Sequence, residues 1–368
     1  MIYFLGKYLH PVFEPLSFLR LVEYLSARSI AAALTAILLI IIIMPRFIWY
    51  LHIRSFVDQM RDTGIPSASE KAGTPAMGGA ILIGCVFISC LLWCNLANPF
   101  LLLVLAGMLW FGLIGFLDDL KKLRSRSGNK GLSEIMKLAL QALFAVVLIL
   151  ILITPLSPLP AGQAGSFYVP FYKAPIFHSL WLYVPIVFAF IMIVGNSVNI
   201  SDGLDGLAIV PSIFVLGVLG VFGYLLGNSI YAHYLNYPFF PGTGELAVFC
   251  SAFVGAGIGF LWFNSYPAQV FMGDTGSLAI GGCMAVLSVI LKQEALFIIL
   301  GGLFIAEAAS SQIQDKIGIR WLGRRIFYRA PLHHQMQHKG LAETKVVIRL
   351  WIVAGILALA ALATLKLR

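Results

Sequence analysis

Charge is what this sequence lacks. Lys and Arg number 25 and Asp and Glu 16 in 368 residues, 11% together, against roughly 25% in a soluble globular chain. With 60% of its residues hydrophobic, the chain cannot cover a water-soluble fold and reads as an integral membrane protein. Cysteine is also scarce. Cys85, Cys90, Cys94, Cys250 and Cys283 all fall inside apolar runs without CxxC or zinc spacing, which excludes a disulfide framework and leaves small apolar core residues. No phosphate-cradling P-loop pattern occurs, and "GAGIG" at 255–259 reads instead as a close helix-packing face. The first 20 residues hold Pro11, Glu14 and Pro15 with no cleavage site after them, so no removable signal peptide is expected. No nucleic-acid partner is expected.

What is present is a series of long apolar runs. A spanning helix needs about 20 such residues, because inside hydrocarbon each backbone amide must be satisfied within its own segment. About ten runs qualify, with approximate cores at 29–50, 76–95, 99–117, 134–153, 179–195, 206–226, 245–263, 277–291, 295–313 and 347–365. The expectation is an all-α polytopic membrane protein in one domain, 1–368. Eighteen of the 25 Lys and Arg fall after runs one, three and nine. By the positive-inside rule those loops are cytoplasmic and both termini face outward. Anionic lipid or an anionic substrate would benefit from the same charge. The outward segment 154–178, rich in Pro, Gly and aromatics, is a candidate hairpin at the interface.

The inward loops differ in kind, since every aspartate in the chain lies on that side: Asp58, Asp62, Asp118, Asp119, Asp202, Asp205, Asp274 and Asp315. "FLDDLKK" (116–122) places Asp118 and Asp119 at a helix C-terminus, whose partial negative charge disfavours them unless Lys121 and Lys122 compensate. "NSVNISDGLDGLA" (196–208) sets Asn196, Asn199, Asp202 and Asp205 at three-residue intervals before the sixth run, more than one N-cap requires. "NSYPAQVFMGDTGS" (264–277) repeats the arrangement with Asn264, Phe271 and Asp274; capping alone would account for Asp274. "RAPLHHQMQHKG" (329–340) adds His333, His334 and His338, a weak signal by itself. Together, carboxylates, lysines and histidines on one face suggest a site for Mg²⁺ and a phosphorylated substrate, since Mg²⁺ takes one or two carboxylates plus phosphate oxygens. Glu307, inside the ninth run, is the one residue that favours an ion-coupled transporter, which would place ionisable groups near the midplane.

The motifs "TPAMGG" (74–79), "DDLKK" (118–122), "NSVNISDGLDGLA", "PGTGEL" (241–246), "FMGDTGSLAIGG" (271–282) and "APLHH" (330–334) resemble the phospho-N-acetylmuramoyl-pentapeptide-transferase family, essentially over the whole chain. The resemblance implies ten spanning helices with outward termini, a multi-pass protein of the bacterial inner membrane, and transfer of phospho-MurNAc-pentapeptide from UDP-MurNAc-pentapeptide to undecaprenyl phosphate. Lipid I and UMP would be the products, with Mg²⁺ as cofactor. It implies catalytic roles for Asp118, Asp119, Asp274 and His334, with Asp274 and Asp119 on the metal. Lys71, Lys122, Asn199, Asp202, Asp205, Asn264, Phe271 and His333 would line the substrate pocket, Phe271 stacking on uracil. Membrane lipid and a homodimer partner are compatible with it. The alternative within the superfamily is a UDP-GlcNAc:polyprenyl-phosphate transferase, against which "APLHH" and "TPAMGG" argue. The chain departs from the family in Gln335, where a third histidine is usual, in Ala76, where threonine is usual, and in "QDKIGI" (314–319).

Overall fold

The structure, a computed structural model, describes residues 1–9, 20–54, 73–124 and 131–367. A short helix α1 (Ile2–Leu9) precedes α2 (Leu25–Ile53), α3 (Gly78–Trp93), α4 (Pro99–Arg124) and α5 (Glu134–Ile153). A two-stranded antiparallel hairpin follows, β1 (Ser166–Phe167) on β2 (Phe177–His178), with Phe167 and Phe177 stacked across it. It occupies the segment expected to form one. Then come α6 (Leu180–Ser201), α7 (Ile209–Leu226), α8 (Ser229–Tyr234), α9 (Glu245–Asn264) and α10 (Gly273–Ile290). The chain ends with α11 (Glu294–Leu300), α12 (Gly302–Gln312), a π-helical stretch Ile313–Trp321, α13 (Leu332–His338) and α14 (Glu343–Ala363).

Each of the ten apolar runs falls on a helix or, for 295–313, on the pair α11 and α12. Among the described residues eight helices are long and apolar enough to cross a membrane, and a ninth results if that pair, bent by 84°, is one span. The sixteen-residue α3 is apolar but shorter. The protein is thus an all-α, multi-pass membrane protein.

Burial sorts the helices into layers. All residues of α10 from Thr275 to Ile290 are buried, so α10 is the axis of the bundle. The apolar window of α5 is only 33% buried, which places α5 on the rim. Lipid tails are as apolar as leucine, so helices in a membrane associate through close contact and polar pairs. Glycines supply the contact here: a Cβ at Gly115 of α4 would overlap the Asp274 carbonyl of α10, and one at Gly79 of α3 would overlap Gly276. The "GAGIG" face packs as expected, Gly255 against the backbone of α2 at Ala33 and Gly257 against Ile213 of α7. All five cysteines are buried and free.

At the N-terminal ends of α2 and α9, Arg28 and Glu245 form a buried bidentate pair at 2.7 and 2.6 Å. Glu245 also accepts the Asn95 N–H.

Candidate active site

The C-terminal turn of α4, the first turn of α5 and the first turn of α10 converge at one end of the bundle. Asp118, Asp119 and Asp274 each offer an oxygen there, all within 4.8 Å of one another. Three carboxylates this close repel, and two lysines offset them. Lys122, one turn after Asp118 on α4, lies 2.7 Å from Asp118 Oδ2 and 3.1 Å from Asp274 Oδ2. Lys137 of α5 lies 2.8 and 2.9 Å from the same two oxygens. Ser133, whose Oγ accepts the Met136 N–H, caps α5 and starts it where Lys137 can reach inward.

The two adjacent aspartates do different things. Asp118 accepts the Leu132 N–H at 2.6 Å through Oδ1 and faces the lysines with Oδ2. Asp119 turns toward α10, accepting the Asp274 N–H through Oδ1 and the Thr275 N–H and hydroxyl through Oδ2 at 2.9 and 2.6 Å. A carboxylate on the exposed amides of a helix N-terminus is well placed against the helix dipole. That contact needs Gly273, whose φ of +74° suits glycine and whose added Cβ would lie 2.8 Å from Asp119 Oδ2.

The polar run 196–205 proves to be a junction. Asn196 exchanges two amide hydrogen bonds with Gln141 of α5, and Asn199 donates to Ser277 on α10 at 2.9 Å. Asp202 is the C-cap of α6, its N–H on the Asn199 carbonyl. Asp205 accepts the Ala268 N–H, joining this turn to the loop before α10, and its own N–H reaches Glu343 of α14. Asn264 is buried with both ends of its amide committed, Oδ1 to the Gly206 N–H and Nδ2 to the Val270 carbonyl. Its place is therefore that of a brace for the two loops. Phe271 is half-buried, and its backbone pairs with Pro75 and Gly78 of "TPAMGG". A cleft of about 360 Å³ opens beside this pairing, lined by Ile48, His52, Gly73, Thr74, Pro75, Ala268 and Gln269.

His333 and His334 sit on α13 with ring centroids 4.3 Å apart. His333 is buried, with Nδ1 3.0 Å from Glu307 Oε2. His334 is half-buried and meets Gln337; burial, then the neighbouring His333, holds its imidazole below the usual histidine range. Thus the expected residues form two neighbouring sets. One is the carboxylates with Lys122; the other joins Asp205, Asn264 and His333 through the 201–206 turn. Lys71 lies outside the described residues.

Sequence reading missed Lys137, Thr275 and Glu307. Lys137 looks like one more inward-loop cation, and the signal that could have fixed its position is its place one turn after Ser133, a good N-cap residue. Glu307 was the one residue that favoured transport; in the structure it is the partner of His333.

Three carboxylates are hard oxygen donors, the ligand type that suits Mg²⁺, Ca²⁺ or Mn²⁺. Such a site can hold a cation and receive a phosphate group. The family description "Glycosyl transferase family 4" matches residues 101–292, a stretch containing both aspartates of α4, both lysines, the 196–208 junction and Asp274. The chain belongs to glycosyl transferase family 4, the polyprenyl-phosphate hexosamine-1-phosphate transferases.

Proposed function

We propose that this chain transfers phospho-MurNAc-pentapeptide from UDP-MurNAc-pentapeptide to undecaprenyl phosphate at the cytoplasmic face of the bacterial inner membrane, giving lipid I and UMP. The observation that carries the reading is the cluster of Asp118, Asp119 and Asp274 bridged by Lys122 and Lys137. It combines with "TPAMGG" and "APLHH", motifs that favour the muramyl donor over UDP-GlcNAc.

Both substrates are anions, so the first task of the site is to let two phosphates approach. Lys122 and Lys137 suit it, because each brings an ammonium group to two of the carboxylates and keeps part of its side chain accessible. The acceptor's phosphate oxygen attacks the sugar-proximal phosphorus; the new P–O bond forms as the bond to UMP breaks, and UMP leaves with the electron pair. Asp274 and Asp119 would hold Mg²⁺, which when bound supplies positive charge against that developing on UMP. Asp118 anchors both ammonium groups, and Asp119 fixes the first turn of α10 and with it Asp274. Direct displacement by the acceptor leaves Asp118 and Asp119 in these contacts throughout, with no phosphorylated aspartate formed. Phe271 and Asp205 would serve the uridine, and Asn199, Asp202, His333 and His334 the donor's phosphate or sugar end.

Purified protein incubated with UDP-MurNAc-pentapeptide, undecaprenyl phosphate and Mg²⁺ should release UMP and form a lipid-linked product. Faster turnover of UDP-GlcNAc than of the muramyl donor would replace this substrate with its relative.

A further inference from the structure

Glu307 is a carboxylate inside an apolar helix, fully buried. An ionisable group in such a place is costly and calls for a reason. Its Oε2 faces His333 Nδ1 at 3.0 Å and also lies 3.4 Å from the His333 backbone N–H, so it holds both the ring and the start of α13. Glu307 Oε1 and His333 Nε2 have no hydrogen-bond partner among the described residues. Leaving a buried polar atom unmatched costs about 1–3 kcal/mol, so a packed interior retains one only with a compensating cause. The far edge of the imidazole lies against Gly203, in the turn between Asp202 and Asp205. A Cβ at Gly203 would overlap Nε2 and come within 3.0 Å of Cε1.

We infer that Glu307 is a positioning residue for the transfer reaction: it fixes the His333 ring with Nδ1 toward α12 and Nε2 toward the 201–205 turn, and it acts through His333 alone. A carboxylate behind an imidazole sets which nitrogen carries the proton and where the other points. Here the proton belongs on Nδ1, between ring and carboxylate, and the unmatched Nε2 is presented to the turn that carries Asp202 and Asp205. The glycine at 203 is what lets the ring come so close. α12 carries Glu307 just beyond the 84° bend with α11, so a residue of the membrane-embedded bundle sets the geometry of a loop histidine. This rests on the proposed function only in the claim that His333 serves turnover.

The test combines one readout that needs no substrate with one that does. Imidazole ¹⁵N shifts of the full chain in detergent should show His333 protonated on Nδ1, and both Glu307→Leu and Gly203→Ala should move those signals, whereas Glu307→Gln, which can still accept from Nδ1–H, should move them least. In turnover assays Glu307→Leu and Gly203→Ala should each lower kcat by about tenfold or more, with the donor KM changed by less than about threefold. In a His333→Ala background, where the added Cβ has room and Glu307 has lost its ring, each should cost less than about twofold. Equal losses in both backgrounds, or His333 signals indifferent to Glu307→Leu, would overturn the inference. Absence of turnover by the wild type would defeat the proposed function instead, and the shifts would still decide the orientation.

Discussion

Replacing Lys137 with methionine should tighten the binding of a divalent cation while lowering transfer. Counted as charges, three carboxylates and two ammonium groups leave the cluster at −1, and Lys137→Met takes it to −2. Methionine keeps much of the lysine stem's length and leaves no new donor. An added unit of negative charge about 5 Å from a divalent ion is worth ~6.6 kcal/mol at an effective dielectric of 20 and ~1.7 kcal/mol at the value of water. The Lys137 side chain is 22% accessible and that of Asp274 19%, so solvent screens the pair and the lower figure is the safer guide. That is a tightening of at least about tenfold in dissociation constant, since 1.4 kcal/mol is one decade. Mn²⁺ can stand in for Mg²⁺, with the free ion followed by its paramagnetic resonance in titrations of purified wild type and variant, and thermal unfolding confirming that both are folded. UMP release by the variant should fall at least about a hundredfold at saturating metal, because one of the two phosphate-facing cations is gone. Unchanged or weaker Mn²⁺ binding in a folded Lys137→Met protein would refute the placement of the metal among these carboxylates.

Asp274→Asn should abolish transfer in a folded protein, because a neutral amide cannot replace a carboxylate toward a divalent ion; near-normal UMP release would return Asp274 to helix capping. Gly115→Val should cost about 1–3 kcal/mol or more in denaturant or thermal unfolding, since its side chain overlaps the Asp274 carbonyl and must part α4 from α10; a neutral effect would mean the two helices yield. Arg28→Met should destabilise by about 3–5 kcal/mol by stranding Glu245, while Arg28→Met with Glu245→Met should recover most of that loss; equal destabilisation of the single and double variants would contradict a buried pair. His334, depressed by burial and by His333, binds its proton more readily unfolded than folded. Its contribution is therefore intact above the ordinary histidine range and is lost as pH falls through about 6.5. Tm measured from pH 7.5 to 5.5 should drop more steeply for the wild type than for His334→Gln.

The bundle was legible in the sequence because its signal is one of amount: twenty apolar residues in a row mean the same whatever they touch. The acidic centre was legible because Asp118, Asp119 and Asp274 contradict their surroundings, carboxylates where a helix dipole or an apolar run discourages them. Partners were not legible, because pairing depends on which helices end up adjacent. Lys137 is identical in sequence terms to any cation that orients a loop, and only the meeting of α4, α5 and α10 makes it a bridge. Glu307 suggested transport for the same reason: its histidine lies 26 positions away. Asn196, Asn199, Asp202 and Asp205 exceeded what one N-cap requires, but their even spacing did not tell their destinations, which diverge to Gln141, Ser277, a helix cap and Ala268. The glycines at 115, 203 and 273 were silent, since the need for a missing side chain shows only when the neighbouring atoms are in place.

The contrast between an enclosed α10 and a rim-lying α5 divides labour within the charge cluster. Asp274 is borne by a helix surrounded on every side, so it cannot shift without disturbing the whole bundle. Lys137 is borne by a helix whose apolar window is only one-third buried, tied inward among the described residues by links such as the Gln141–Asn196 amide exchange and the Trp110 bond to the Leu140 carbonyl. Anions are then the fixed frame of the site and a cation is its adjustable part. A bulky group placed on the α5 side of the cluster would displace one half-exposed helix, whereas one placed on the α10 side would have to part the protein's interior.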